Sequence, residues 1–242
     1  PPAFDIFNDC ETLASALAIR VAACAAEAIS ARRRFALAIP GGSVVSLLAH
    51  GLAAPVAAAN WHVFWTDERR VPLSDPQSNF RLAEMELLPK LAGARVHPLR
   101  GSAAEYEKEL APFLPLDLVL LGVGEDGHVA SLFSGNPALR ETQRLVADVH
   151  GAPKPPPDRA TLTLPVLNSA RQTFVVAAGA GKAAVVGRLF SAPGDLPAQR
   201  LSGSPRWWLD RAAAAYLKES PCATRSPRPT PPPSSSSAPP AT

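Results

Sequence analysis

Three junctions in this 242-residue chain gather residue types that bind anions or move protons. The first is Ile39-Pro40-Gly41-Gly42-Ser43. Its glycines let the backbone approach a ligand closely, and the helix that follows presents free N–H groups and a positive dipole end. A phosphate fits there, with Ser43 adding a hydroxyl, although Gly-Gly after a strand is also an ordinary tight turn. The second is Thr66-Asp67-Glu68-Arg69-Arg70, four charges at a strand end that form either a solvated loop edge or the floor of a polar site. Ser78-Asn79 downstream reads as a helix cap.

The third junction runs from Leu121 to Phe133 and contains Gly122, Gly124 and Gly127 in G-x-G-x-x-G spacing, with Asp148 about 20 residues on. Three features argue against a dinucleotide. Glu125 and Asp126 would set negative charge against a pyrophosphate, Ser134 to Pro137 cuts the helix short, and the loop comes late in the chain. The glycines instead turn the chain sharply so that Asp126 and His128 face the sheet edge. An imidazole with an ordinary pKa near about 6.5 is a suitable general base at neutral pH, and Asp126 could orient it. The competing reading is a capping Asp beside a core His. His50, His62, His97 and His150 lack this glycine-flanked setting. Two cations complete the set. Arg159 opens Arg-Ala-Thr-Leu-Thr163 after a proline run, and Lys182 stands at a helix N-terminus, where the dipole disfavours a cation unless an anion binds nearby. There is no G-x-S-x-G elbow and no Cys beside a His, which argues against a nucleophilic-serine hydrolase.

The elements that must hold these loops alternate. Strands are expected at residues 3–7, 34–39, 61–65, 96–99, 116–121, 145–149, 161–164 and 174–178. Helices are expected at 9–30, 43–50, 79–91, 103–113, 181–190 and, last, 207–217, with a proline-broken loop over 67–78. Leu116–Leu121 is an almost continuous aliphatic run, the mark of a strand buried on both faces. The pattern predicts an α/β fold with a mostly parallel sheet, whose site lies at the carboxyl ends of the strands.

Composition narrows the classes. Eight of the 27 prolines fall in residues 221–242, a Pro/Ser-rich segment with no aliphatic or aromatic residue larger than alanine, read as a disordered tail after a single domain over 1–220. Arg225 and Arg228 account for most of the +3 net charge, so the basic balance does not point to nucleic acid. Arg32–Arg34 is the one basic run, placed at a helix C-terminus. No uninterrupted apolar stretch reaches membrane-helix length. Cys10, Cys24 and Cys222 form neither a disulfide framework nor a metal site, in keeping with a reducing or thiol-indifferent compartment. The chain opens Pro1-Pro2 without Met or signal region and reads as a processed or excised piece.

In order along the chain, Pro40-Gly41-Gly42-Ser43, Thr66-Asp67-Glu68-Arg69, Ser78-Asn79, Leu121 to Phe133, Arg159 to Thr163 and Gly181-Lys182 together resemble the glucosamine-6-phosphate deaminase/6-phosphogluconolactonase family on its lactonase side. The resemblance covers about residues 3–219. Deaminases of this superfamily continue the Gly-His loop with a Phe-Asn-Glu-Pro type sequence, whereas this chain continues Ala130-Ser131-Leu132-Phe133. Ser134 departs from the family's proline. The resemblance implies a Rossmann-like three-layer sandwich of the sugar-phosphate isomerase/deaminase type. It implies hydrolysis of 6-phospho-D-glucono-1,5-lactone with no cofactor and no metal, with no nucleic-acid or membrane partner. His128, Asp126 and Arg69 would be catalytic, and Gly41, Gly42, Ser43, Asp67, Glu68, Asn79, Arg159 and Lys182 would bind substrate. A glucose-6-phosphate dehydrogenase, fused or functionally coupled, and a cytoplasmic location, with a plastid as the alternative, complete the expectation. Two other readings stand beside it: a deaminase or aldose–ketose isomerase, and a non-catalytic sugar-phosphate sensor.

Overall fold

The computed structural model describes residues 2–52 and 56–217; the Pro/Ser-rich segment lies outside the described residues. The chain runs β1 (Ala3–Phe7), α1 (Cys10–Arg32), β2 (Phe35–Ile39), α2 (Ser43–Gly51), β3 (Val56–Ala57), β4 (Trp61–Trp65), β5 (Asp67–Arg69) and α3 (Asn79–Glu86). It continues β6 (Leu91–Ala92), β7 (Arg95–His97), α4 (Ala103–Leu110), β8 (Leu118–Gly122), β9 (Val146–Val149), β10 (Arg159–Leu162), α5 (Leu164–Ser169), β11 (Thr173–Ala177), α6 (Ala183–Ser191) and β12 (Arg206–Asp210). Seven strands form one sheet in the order β1-β12-β11-β8-β2-β4-β7, every neighbouring pair parallel. The expected α/β class with a parallel sheet is what the chain adopts.

Local chemistry starts and stops the elements as expected. Asp9 caps α1, its carboxylate accepting the Thr12 N–H at 2.8 Å, while the Thr12 hydroxyl accepts the Asp9 N–H. α1 is long and apolar enough to cross a membrane by length and composition, but Leu13, Leu17, Val21 and Cys24 are buried in the core. The basic run is structural. Arg32 pairs with Asp117 at 2.7 Å, and Arg34 lies over the Phe113 ring. Asp117 also accepts the Ala36 N–H, which pins the entry of β8 to β2.

Three expectations are corrected. Residues 207–217 do not form a helix: Trp207, Trp208 and Leu209 belong to β12, which is hydrogen-bonded between β1 and β11. Trp207 packs on Phe190, and Trp208 on Phe7 and Phe174. Burial on both sides of a sheet outweighed the alanine-rich run behind them, which forms turns. The helix begun at Asn79 ends at Glu86, followed by a 3-10 turn over Leu88–Lys90, because Pro89 disfavours helical geometry before it. Finally, β9 and β10 do not join the parallel sheet. β10 pairs antiparallel with β9 on one side and, on the other, with β5, at the head of what reads as a loop, in a separate three-stranded sheet.

α2 crosses α1 at Gly51. A Cβ there would lie 2.0 Å from the Ala14 carbonyl oxygen, which is backbone and cannot swing aside. Gly51→Ala should therefore destabilise by about 1–3 kcal/mol through overpacking. An unchanged urea midpoint would show that the helices are not in close contact there.

Candidate active site

In this parallel sheet all carboxyl ends lie along one edge. From β2 the chain builds outward to β4 and β7; from β8 it builds the other way, to β11 and β12. β2 and β8 are adjacent, so the strand order reverses between them, and a ligand crevice opens at such a point. Four neighbouring strands, β11-β8-β2-β4, deliver the Lys182, Asp126–His128, Gly41–Ser43 and Asp67–Arg69 segments to this edge.

After β2, Gly42 has φ 67°, and no side chain caps α2. Ser43 is exposed at its first turn. Gly41 is required for contact: a Cβ there would sit 1.9 Å from Asn79 Oδ1.

After β4, strand alternation sorts the charges. Asp67 and Arg69 point to one face of β5 and Glu68 to the other. The Glu68 carboxylate is buried and accepts from the N–H groups of Arg69, Asn79 and Phe80 at 2.7 Å each, and from the Ser78 hydroxyl. Burial pushes its pKa up, against the pull of those donors. It thus anchors the α3 N-terminus. Asn79 is equally buried, and its Nδ2 donates to the Asp67 carbonyl. Both expected binding residues make their hydrogen bonds inside the protein.

On the other face, Arg69 stands directly across from Arg159 in the β5–β10 register. Like charges opposite one another are unfavourable in a bare sheet. Arg159 is only 4% exposed, and burial and then Arg69 push its pKa down, while Asp67 opposes. Carbonyls of Lys154 and Pro156 accept from its guanidinium. Arg69 donates to the Gln77 carbonyl at 2.7 Å, but its Nε is a buried donor without a partner among the described residues. A buried unsatisfied guanidinium nitrogen requires an explanation, and an anion accepting from this pair is one. On its outer side Arg69 lines a cleft of about 430 Å³ together with Arg70 and Arg100.

After β8, Gly127 has φ 85° and its N–H donates to Gly124 O, closing the turn. The His128 Nδ1–H donates to Asp126 Oδ1 at 2.5 Å. The imidazole is 18% exposed and lies 4.6 Å from the Phe133 ring. Burial raises the Asp126 pKa, but the His128 hydrogen bond and charge outweigh it and hold the carboxyl below its usual value. Asp126 is therefore ionised at neutral pH, fixes Nδ1 as the donor and leaves the Nε2 lone pair free. A Cβ on Gly124 would fall 2.1 Å from the imidazole, so only glycine admits this ring position.

After β11, Lys182 leans across to β8, its Nζ donating to Val123 O at 2.8 Å. Its turn is held by buried Asp210, which accepts the Gly179 N–H.

The other histidines fare differently. Burial and the neighbouring His97 push His62 down to about 4, making it a neutral core ring. His97 and His150 do have carboxylate partners, Glu109 and Asp158, but neither follows β8. Sequence reading passed over Ser131, fully buried, although the motif contains it. Its hydroxyl donates to Asp67 Oδ2 at 2.7 Å, and its N–H donates to Thr161 Oγ1. The only signal was a small hydroxyl residue inside an apolar run.

Residues 8–208 match the family described as glucosamine-6-phosphate isomerases/6-phosphogluconolactonase. The chain is 40% identical over 243 residues to a 6-phosphogluconolactonase of Homo sapiens, covering 90% of this chain and 94% of that one. It is 37% identical to a probable chloroplastic 6-phosphogluconolactonase 3 of Oryza sativa, over 88% of this chain and 75% of that one. The crystal structure of a 6-phosphogluconolactonase from Shewanella baltica superposes with a TM-score of 0.78 at 24% identity, over 87% of this chain and 97% of that chain, and shares the fold. Built on that fold and carrying these motifs, the chain belongs to the glucosamine-6-phosphate isomerase/6-phosphogluconolactonase family.

Proposed function

We propose that this chain is a lactone hydrolase that opens 6-phospho-D-glucono-1,5-lactone to 6-phospho-D-gluconate in the pentose phosphate pathway. The observation that carries the chemistry is the Asp126–His128 pair at the strand-order reversal, with Nε2 free and cations on both sides. A δ-lactone is an activated ester, so a positioned water and a base suffice.

His128 Nε2 takes a proton from water as its oxygen attacks the carbonyl carbon. Arg69 stabilises the tetrahedral oxyanion. The intermediate collapses, the ring C–O bond breaks, and the proton on His128 passes to the departing alkoxide. The substrate phosphate sits on the uncapped α2 N-terminus at Gly41–Ser43, with Arg159 and Lys182 as charged donors. This remote binding holds the lactone for attack. The charge of Asp67 supports that of Arg159, and Glu68 and Asn79 tie the strand that carries Arg69 to α3. The lactone is supplied by a glucose-6-phosphate dehydrogenase, separate or attached. We place residues 1–220 as one catalytic domain working in the cytoplasm, with a plastid as the alternative.

His128→Ala should lower kcat by roughly 10²–10⁴-fold, the usual contribution of a general base. The assay is 6-phosphogluconate formation corrected for spontaneous opening. Unaltered turnover removes His128 as the base, and ammonia release from glucosamine 6-phosphate would favour a deaminase instead. Because the base works only when neutral, activity should fall as pH drops. Asp126→Asn removes the carboxylate that fixes Nδ1 as the donor and should lower kcat by roughly 10²-fold or more; unaltered kcat would separate Asp126 from the base. Lys182→Ala should chiefly raise KM for the phosphorylated lactone. An equal loss on unphosphorylated gluconolactone would mean that Lys182 does not read the phosphate.

A further inference from the structure

Two parts of the site come from different sheets: the base follows β8 of the parallel sheet, and the arginine pair sits on the β5–β10 ribbon. Ser131, three residues past His128, links them directly. Its hydroxyl donates to Asp67 Oδ2 at 2.7 Å, and its N–H donates to Thr161 Oγ1 at 3.2 Å. Arg159 Nη1 approaches the same hydroxyl at 3.5 Å. Asp67 and Thr161 are themselves cross-strand partners in the ribbon. Ser131 and Thr161 have no exposed surface, and Asp67 is 5% exposed.

The backbone between His128 and Ser131 supplies an independent sign. Ala130 has φ 49°, the left-handed region that a Cβ disfavours. Such a conformation persists only where surrounding contacts over-determine it. Here the Leu132 N–H donates to Val129 O, and the two Ser131 hydrogen bonds clamp the far side of the turn.

We infer that Ser131 is a positioning residue for the base: its hydroxyl and amide clamp the His128 turn onto the arginine-bearing ribbon and so fix the distance between proton acceptor and cations. Phe133, 4.6 Å from the His128 ring and 5.4 Å from the Arg159 guanidinium carbon, fills the space that the clamp sets. This inference rests on the proposal that His128 is the base.

The test is Ser131→Ala, with Thr161→Val as a nearly isosteric second variant that removes only the acceptor of the Ser131 N–H and the Thr161 hydroxyl bond to Leu162 O. Misplacing a catalytic group by an ångström costs up to about 10²-fold, so Ser131→Ala should lower kcat about tenfold or more, with KM changed less than about threefold. Thr161→Val should act in the same direction and less. Circular dichroism at the assay temperature confirms the folded state, and the ¹⁵N signals of the His128 imidazole report its placement directly, shifted or broadened in both variants. Unchanged kcat in both variants, a loss confined to KM, or unmoved imidazole signals would overturn the inference. Full turnover in His128→Ala would instead overturn the base assignment, while the imidazole signals still report whether Ser131 holds the ring. Should Ser131→Ala fail to fold, Thr161→Val decides alone.

Discussion

A parallel sheet delivers all its outgoing loops to one edge, and reversing the strand order leaves one place on that edge where the connections part. That place, between β2 and β8, is the constraint on which the site depends. The Gly41–Ser43 turn and the Asp126–His128 turn are neighbours only because their strands are hydrogen-bonded to one another. Lys182 and Arg69 flank them because β11 and β4 are the next strands on either side.

A second constraint is the three-stranded ribbon of β5, β10 and β9. It sets Arg69 against Arg159 with, among the described residues, no direct carboxylate partner for either and no acceptor for the buried Arg69 Nε. Such an arrangement is costly unless an anion accepts from it. Glu68 makes the same ribbon rigid from behind by holding α3. Side-chain alternation along three residues thus separates the structural carboxylate of Glu68 from Asp67 and Arg69 on the opposite face.

The Asp126–His128 turn works by exclusion. Gly124 leaves room for the ring, Gly127 supplies the positive φ, and Asp126 fixes which nitrogen carries the proton. The two other carboxylate–histidine pairs show that the pairing by itself is common. Place in the sheet makes this one a candidate base, since His97 stacks among aromatic side chains and His150 lies in the open.

The sequence by itself determined the alternating architecture, the capping of α1 and α3, and the strand-end turns that carry His128 and Lys182, because apolar periodicity, caps and glycine turns are local signals. It did not determine that Trp207–Asp210 is an inner strand, since an apolar run beside alanines fits either period until neighbours exist on both sides. Nor could it show that Glu68 and Asn79 face inward, that Arg69 meets Arg159 ninety residues away, or that Ser131 joins the two sheets. Those facts depend on pairing between distant strands and on which face of a short strand each side chain takes. Only the closed tertiary structure decides them, because register, unlike propensity, belongs to the pair of strands and not to either one.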